Sequence, residues 1–348
     1  MISPLHGTVA LVGMILVIVG YAAIHLSDID NYIYRHSGAE ILSFHHSEKS
    51  EVFLGLPEMQ SAKFEFKIYS HNVRVDTRNR FPHEKKWRDR LHEVVRSIEE
   101  SGKEEEDGHE VPTLVGLQEL KHHQLNDILK GLNHESYDES PWTHYGVGRD
   151  DGDTKGEYTP ILYNRNVWTL VNGTTKWLSE HPDVPERSWG AATKRVITFT
   201  TFQNVLSGNY INYINTHLDH KSIEAKKRSA DLIIEWIKSI PNEYPTFLSG
   251  DFNSEQSEVA YQTIAHTMQD AFLVASSKQK DNHVEDPTTY TGWEPESVHT
   301  VIDFLWYYSG YNSSSVEVES FTILPNENNG VRFSDHKPLE ATYMIEIV

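Results

Sequence analysis

Hydropathy along the chain falls into two regimes. Residues 8–26, TVALVGMILVIVGYAAIHL, carry no Asp, Glu, Lys or Arg. As a helix rising 1.5 Å per residue, this stretch would be about 28 Å long, close to the ~30 Å hydrocarbon thickness of a bilayer. Three readings are open: an uncleaved signal anchor, a cleaved signal peptide, or a buried core helix. For cleavage, Val9–Val19 would be the apolar region and Gly20-Tyr21-Ala22 the small-x-small site. No basic residue precedes the segment, and Asp28 and Asp30 come before Arg35, so the charge bias toward a cytoplasmic N-terminus is weak. Residues 1–27 are expected to be a signal anchor or signal peptide. Residues 28–60, His-rich in places and weakly periodic, are expected to be a stalk or linker.

From Phe64 onward, short β-type runs alternate with helical ones, the pattern of a layered α/β domain over residues 61–348. FEFKIY (64–69) has strand character. KWRDRLHEVVRSIEE (86–100) places Trp87, Leu91, Val94, Val95 and Ile98 on one helical face. TLVGL (113–117) reads as a short buried strand, with a solvated acidic loop, GKEEEDGHE, before it. PILYN, RVITFTTF and YINYINTHL are further strands. A helix over about 224–238 buries Ala230, Ile233, Ile234 and Ile237. TFLSG (246–250) and VIDFLWYY (301–308) complete the strand set. No repeat, Walker loop, GxSxG elbow or GxGxxG is present.

Composition narrows the function. Asp plus Glu total 51 against 31 Lys plus Arg, a net charge of -20. Strong, sequence-blind nucleic-acid binding draws on many Lys/Arg–phosphate contacts and is not expected. A small or isolated phosphoester suits an acidic body better, because a bound cation can supply positive charge locally. There are no cysteines, which excludes disulfides and thiolate zinc sites.

The chemistry gathers where apolar strands end. FEFKIY leads into Ser70-His71-Asn72, TLVGL into Gln118-Glu119, and YINYI into Asn215-Thr216-His217-Leu218. TFLSG leads into Asp251-Phe252-Asn253, and VRF into Ser334-Asp335-His336. Asp303 sits inside an otherwise apolar strand, and a buried carboxylate there needs a partner. Each cluster alone reads as an ordinary turn or helix start. Six in this order, built from hard oxygen ligands and two His, suit Mg²⁺ or Mn²⁺ and the proton transfers of phosphoryl chemistry.

These clusters resemble the successive motifs of the endonuclease/exonuclease/phosphatase superfamily, over about residues 64–348. GVGRDDGDTKGEYTPILYN (146–164) and KWLSEHPDVPERSWGAATKRVITF (176–199) further resemble a subgroup of secreted or membrane-linked members. The resemblance implies a DNase I-like four-layer α/β/β/α sandwich, with the site at one end of two facing sheets. It implies that Asn72 and Glu119 bind the metal, with Asp335 a further or water-mediated ligand. His336 would activate the attacking water, oriented by Asp303. Asp251 and Asn253 would position nucleophile and phosphate, and His217 would donate to a phosphate oxygen or the leaving group. Glu157 is expected to reach the metal or a substrate hydroxyl, and Arg195 to neutralise a phosphate.

His71, His122, His123, His144 and His220 are expected bystanders, with His220 at the predicted rim of the site. Trp177, Trp189 and Trp293 are expected to pack. Asn172 and Asn312 are glycosylation candidates if the body is lumenal. The expected function is divalent-metal-dependent hydrolysis of a small or lipid-linked phosphoester by a monomer. It would be anchored by one membrane-spanning helix with the catalytic body lumenal or extracellular, or be secreted. The alternatives are a secreted nuclease, which predicts a basic groove despite the overall charge, and a catalytically silent anchored binding module. Every motif position holds a chemically competent residue, which speaks against the silent module.

Overall fold

Phe64, Phe66 and Ile68 alternate with more polar neighbours, and in the computed structural model they line one face of strand β1 (Lys63–Asn72). Residues 63–103, 111–134, 141–278, 287–294, 296–308 and 316–346 are described. The expected anchor or signal peptide, the stalk, most of the acidic loop and Asn312 lie outside them. No helix of the described residues is long and apolar enough to cross a membrane. Residues 60–348 cluster as one compact unit.

The first sheet pairs β1 in parallel with β2 (Thr113–Gln118) and antiparallel with β16 (Leu339–Glu346). It is completed by β13 (Val316–Ile323) beside β16, then β6 (Ile161–Asn164) and β4 (Trp142–Tyr145) beyond β2. The second sheet has the order β11 (Gln269–Asp270), β12 (Asp303–Tyr308), β10 (Thr246–Asp251), β9 (Tyr210–His217), β8 (Val196–Asn204) and β7 (Trp168–Trp177). β9 and β10 are parallel, and β12 runs antiparallel to β10. Both sheets are therefore mixed. Two minor pairings involve β3 (Leu120–Lys121) with β5 (Glu157–Tyr158), and β14 (Glu327–Asn328) with β15 (Val331–Arg332).

Burial separates into layers as the strand period of two requires. One core lies between the sheets: Phe66, Ile68 and Tyr343 from the first meet Trp168, Phe202 and Phe247 from the second. A second core packs Ile214, Leu248 and Trp306 under helices α3 (Ile223–Lys238) and α4 (Val259–Ala265). A third packs Tyr69, Val115 and Leu117 under α1 (Trp87–Ser101) and α2 (His122–Leu132). A last helix, α5 (Ala271–Lys278), contributes Ala271 and Ala275 to the inter-sheet core. The layering is the expected α/β/β/α sandwich.

On α1, Trp87, Val94, Val95 and Ile98 are buried as the periodicity predicts, and Leu91 is partly so. Arg90 is fully buried too. Its Nη1 donates to the carbonyls of Val73 (2.8 Å) and Phe333 (2.7 Å), and its guanidinium lies over the rings of Trp87 and Trp293. A planar fork can satisfy two loop carbonyls and still stack on indoles. Arg90 thereby ties the segment after β1 to the segment before β16, the two loops that carry Asn72 and Asp335-His336.

The sheets approach closely just below the strand ends. A Cβ on Gly116 of β2 would collide with the Tyr213 hydroxyl of β9. Around it runs a polar clamp: Gln118 Nε2 donates to Asn215 Oδ1 at 2.7 Å, and Asn215 Nδ2 donates to the carbonyls of Leu117 and Pro160. Buried amides with these partners fix the relative height of the two sheets.

Candidate active site

Strand register brings the motif residues together. Asn72 and Gln118 are Cα partners at the ends of parallel β1 and β2. His217 and Asp251 are partners at the ends of parallel β9 and β10, and Asp251 faces Asp303, the first residue of β12. Two strand ends from the first sheet and three from the second thus converge on one edge. Gly250, one residue before Asp251, is required there, since a Cβ would collide with the Thr216 carbonyl oxygen. Asp335 and His336 enter from the turn before β16, where Ser334 Oγ donates to the Asn72 carbonyl and His336 bridges Tyr290.

Asn72 joins the sheets across the site. Its Nδ2 donates to Asp251 Oδ2 at 2.9 Å and lies 3.4 Å from His336 Nε2, while its Oδ1 accepts from the Arg74 amide. His336 Nδ1 donates to Asp303 Oδ2 at 2.9 Å, and Thr289 Oγ donates to the same oxygen at 2.7 Å. His336 Nε2 faces Asp251 Oδ2 at 3.7 Å. Burial opposes charge on His336, but the Asp303 and Asp251 carboxylates overcome it and push His336 up to about 10. Burial, reinforced by Asp303, pushes Asp251 up to about 7.

On the other side, Glu119 Oε2 accepts from the Val75 amide at 3.2 Å and lies 3.6 Å from Arg74 Nη1. Burial works to raise Glu119, yet Arg74 and His336 hold it below the ordinary range. Asp335 is raised by burial and by the charge of Glu119. Its Oδ1 is buried without a hydrogen-bond partner. Glu119 (φ 66°) and Asn253 (φ 45°) both sit in the left-handed region. Asn adopts it readily, whereas Glu pays on the order of 1 kcal/mol, which the surrounding structure must offset.

His217 behaves differently from what the resemblance implies. Asn253 Nδ2 donates both to His217 Nε2 (2.9 Å) and to the Leu218 carbonyl (3.2 Å), which fixes the amide's orientation. Burial, then Arg195 and Arg149, hold His217 well below its ordinary value. As placed, His217 is a neutral acceptor at Nε2 and not a proton donor there. Its Nε2 is also 3.4 Å from Asp251 Oδ2.

Glu157 starts β5 and is gripped by Arg149 in a two-pronged ion pair of 2.7 and 2.9 Å. Burial and the nearby Glu119 raise it above the ordinary carboxylate range. Arg195 is buried beside it. Its Nη2 contacts His220 Nδ1 at 3.3 Å, while its Nε and Nη1 have no partner. A concavity of about 10 Å³ is bounded by Arg149, Glu157, Arg195 and His217.

Several participants went unread in the sequence. Arg74, two residues past Asn72, lies between Glu84 (3.5 Å) and Glu119. Arg149 sits inside the very GVGRDDG segment that carried the subgroup resemblance. Thr289 precedes Asp303 by 14 residues, and nothing in the sequence links them. His71, expected to be a bystander, contacts the His336 carbonyl through Nε2 at 3.3 Å and the Tyr69 hydroxyl through Nδ1 at 3.2 Å. Burial, then His336, lower it to about 3, so it stays neutral. His122, His123 and His144 make no contact with the motif residues; His123 pairs with Asp76 and His122 with Tyr158. Trp177 and Trp293 are buried, and Trp177 Nε1 holds the Arg149 carbonyl. Trp189 is half-buried, and its carbonyl accepts from Ser222. Asn172 is exposed on β7.

The donor set fits a divalent cation. Asp335 Oδ1 is orphaned, and within each of two groups, Glu119–His217–Asp251 and Asp251–Asp303–His336, the donor atoms lie within 4.8 Å of one another. Oxygen-rich, thiol-free sites of this kind suit hard metals.

Residues 69–336 match the endonuclease/exonuclease/phosphatase family. The chain belongs to that family. It is accordingly a phosphoester hydrolase of a divalent-metal-dependent family. Its fold is similar to an endonuclease/exonuclease/phosphatase from Bacteroides vulgatus, at 31% identity and a TM-score of 0.66, covering 81% of this chain and 99% of that one. It is also similar to a mannosyl-6-phosphatase from Bacteroides thetaiotaomicron, at 25% identity and a TM-score of 0.67, covering 80% and 99%. The human Nocturnin catalytic domain shares the fold at 17% identity and a TM-score of 0.58, covering 81% and 94%. None of the curated protein sequences compared matches this chain.

Proposed function

We propose that this family member hydrolyses a small or lipid-linked phosphoester, mono- or diester, with Mg²⁺ or Mn²⁺ as its cation. One observation carries the reading. A buried carboxylate oxygen of Asp335 without a partner calls for a cation, and two buried guanidinium nitrogens of Arg195 without a partner call for an anion. A metal-bound phosphate satisfies both within one cleft. Glu119, Asp335 and Asn72 would hold the cation, which when bound stabilises negative charge on the phosphate.

The protein's own groups divide the remaining work. A water oxygen bonds to phosphorus as the ester P–O bond breaks, and the water's proton passes to Asp251. Asp251 is placed as the base: it lies between His217 and His336, and burial, reinforced by Asp303, pushes its carboxyl up to about 7. His336, kept protonated by Asp303 and Asp251, offers Nε2–H to the phosphate or the leaving oxygen. This exchanges the roles expected for His336 and Asp251 from sequence, and the reason is the pair of carboxylates flanking His336. Arg195 binds a phosphate oxygen, and Glu157, held by Arg149, accepts from a substrate hydroxyl.

The net charge of -20 and the mannosyl-6-phosphatase similarity support a small ester. The apolar segment 8–26 supports a membrane-anchored, or else secreted, monomer whose catalytic body faces the lumen or the exterior. Protease protection of the body in sealed vesicles tests that placement. A second reading, cleavage of DNA or RNA, is favoured by one feature, a basic shelf beside the cleft. A substrate panel decides between them: sugar phosphates, sphingomyelin, phosphoinositides, plasmid DNA and RNA. Turnover confined to the nucleic acids would overturn the small-ester reading.

A further inference from the structure

Against a net charge of -20, the segment from 71 to 90 is basic. Arg74, Arg78, Arg80, Lys85, Lys86, Arg88 and Arg90 face only Asp76, Glu84 and Asp89. Arg74, Glu84 and Arg90 are consumed inside, in the site and beneath it. The others are exposed. Of these, Arg78, Arg80, Lys86 and Arg88, together with Lys121, line a cavity of about 680 Å³. Its single carboxylate, Asp76, is already engaged by His123 at 3.1 Å. Arg88 is offset by the adjacent Asp89, at 3.3 Å. Arg78 and Lys86 have no acidic partner among the described residues.

The cavity and the metal cleft share a wall. The Val75 amide donates to Glu119 on the cleft side, while the next residue, Asp76, lines the cavity and its carbonyl accepts Lys121 Nζ at 2.8 Å. Lys121 itself is two residues from Glu119. Two residues of extended chain span at most about 7 Å. A substrate whose scissile phosphate is held by the cation at Glu119 and by Arg195 therefore has the cavity's basic wall as its neighbour.

We propose that this cavity is a second phosphate subsite, which binds a phosphate of the substrate other than the one hydrolysed. Unpaired cations around one concavity make a local positive potential in a protein that is elsewhere acidic, and that potential attracts a phosphate dianion. Guanidinium groups also suit phosphate geometry. The proposal rests on the phosphoester reading of the neighbouring cleft, and it narrows the substrate class to esters with two or more phosphates. The second phosphate can belong to a soluble metabolite, a lipid head group or a polynucleotide.

The test uses the full-length protein and the double variant Arg78→Glu/Lys86→Glu. Both side chains are exposed, and Lys86 is the N-cap of α1, where an acid is the better residue, so folding is preserved. Three probes with two or more phosphates are compared with p-nitrophenyl phosphate: glucose 1,6-bisphosphate, phosphatidylinositol 4-phosphate in phosphatidylcholine vesicles, and a short single-stranded DNA. The double variant is expected to raise KM about tenfold or more for at least one of these three probes and to leave p-nitrophenyl phosphate hydrolysis unchanged. The affected probe identifies the source of the second phosphate. Equal effects on every substrate, or none on any, overturn the subsite. Binding of inorganic phosphate separates this outcome from failure of the catalytic reading. A wild type that turns over nothing, yet loses phosphate binding in the double variant, sinks the hydrolase reading and retains the subsite.

Discussion

Replacing Asp303 by Asn tests the internal wiring of the site. The substitution preserves shape and removes one charge. In the wild type, Asp303 Oδ2 accepts from His336 Nδ1 at 2.9 Å and from Thr289 Oγ at 2.7 Å, with the Asp303 side chain 5% and the His336 side chain 6% exposed. A buried hydrogen bond to a charged group contributes about 1.5–3 kcal/mol, against ~1 kcal/mol for a neutral one. The Asn oxygen can serve Thr289 or His336. In the first case the amide nitrogen faces His336 Nδ1, which must then accept; the ring keeps its proton on Nε2 but becomes neutral, a far weaker acid than the imidazolium the mechanism needs. A loss of roughly 3–5 kcal/mol of transition-state stabilisation follows, about 10²- to 10⁴-fold in kcat. KM should stay within about threefold, since Asp303 touches no substrate. Melting should shift by no more than about 4 °C. Steady-state kinetics on bis-p-nitrophenyl phosphate at saturating Mg²⁺, with circular-dichroism melts, reads all three. Thr289→Val, which removes only the supporting donor, should cost about tenfold. If the Asn variant keeps kcat within threefold, the Asp303–His336 pair does not organise catalysis.

Other consequences follow from the same geometry. Arg195→Ala should raise KM about tenfold or more and lower kcat as well, because it removes a buried donor to the phosphate; an unchanged kcat/KM would place the phosphate elsewhere. Gly116→Ala should destabilise the fold by about 1–3 kcal/mol in urea unfolding, since the added methyl meets Tyr213 and Ser249 at the narrowest point between the sheets. Metal should stabilise the protein more as pH rises. Asp251 is raised to about 7 in the folded state, so its protonated form stabilises the metal-free fold below the unfolded value near 4, and that contribution is lost as pH climbs through 7. His336, raised to about 10, adds stability that is full below its unfolded value near 6.5 and is lost toward pH 10. The melting-temperature gain from Mg²⁺ over EDTA should therefore grow between pH 5 and 9. A gain that is flat across that range would show that these carboxylates do not face the cation.

The layered α/β class was legible because each strand carries its own local signal. FEFKIY, TFLSG and VIDFLWYY are apolar runs that stop at polar residues, and parallel or antiparallel register then aligns the stops. Elements without that contrast went unread. β7 (Trp168–Trp177) is largely exposed and polar, and α2 (His122–Leu132) opens on two His and lacks a Ser, Thr or Asp cap. Glu119, Asp251, Asp335 and His336 were legible because each ends or follows an apolar strand, and Asp303 because it interrupts one. Their protonation was not, because it depends on neighbours that only folding supplies. His217 is neutral because it is buried and two arginines lie near it, and His336 is charged because Asp303 and Asp251 outweigh its burial. Arg149, Thr289 and Arg90 act through contacts set by tertiary packing, which no spacing announces.

The central claim is that one cleft joins a divalent cation, through Glu119, to a phosphoester. Its most direct test is turnover of p-nitrophenyl phosphate and bis-p-nitrophenyl phosphate by the full-length protein in Mg²⁺, Mn²⁺ or EDTA, beside Glu119→Gln. Turnover that requires metal, vanishes in EDTA and falls at least about 10²-fold in the variant is the predicted result. Turnover indifferent to EDTA, or a folded, Mg²⁺-binding wild type that hydrolyses neither ester, would contradict it.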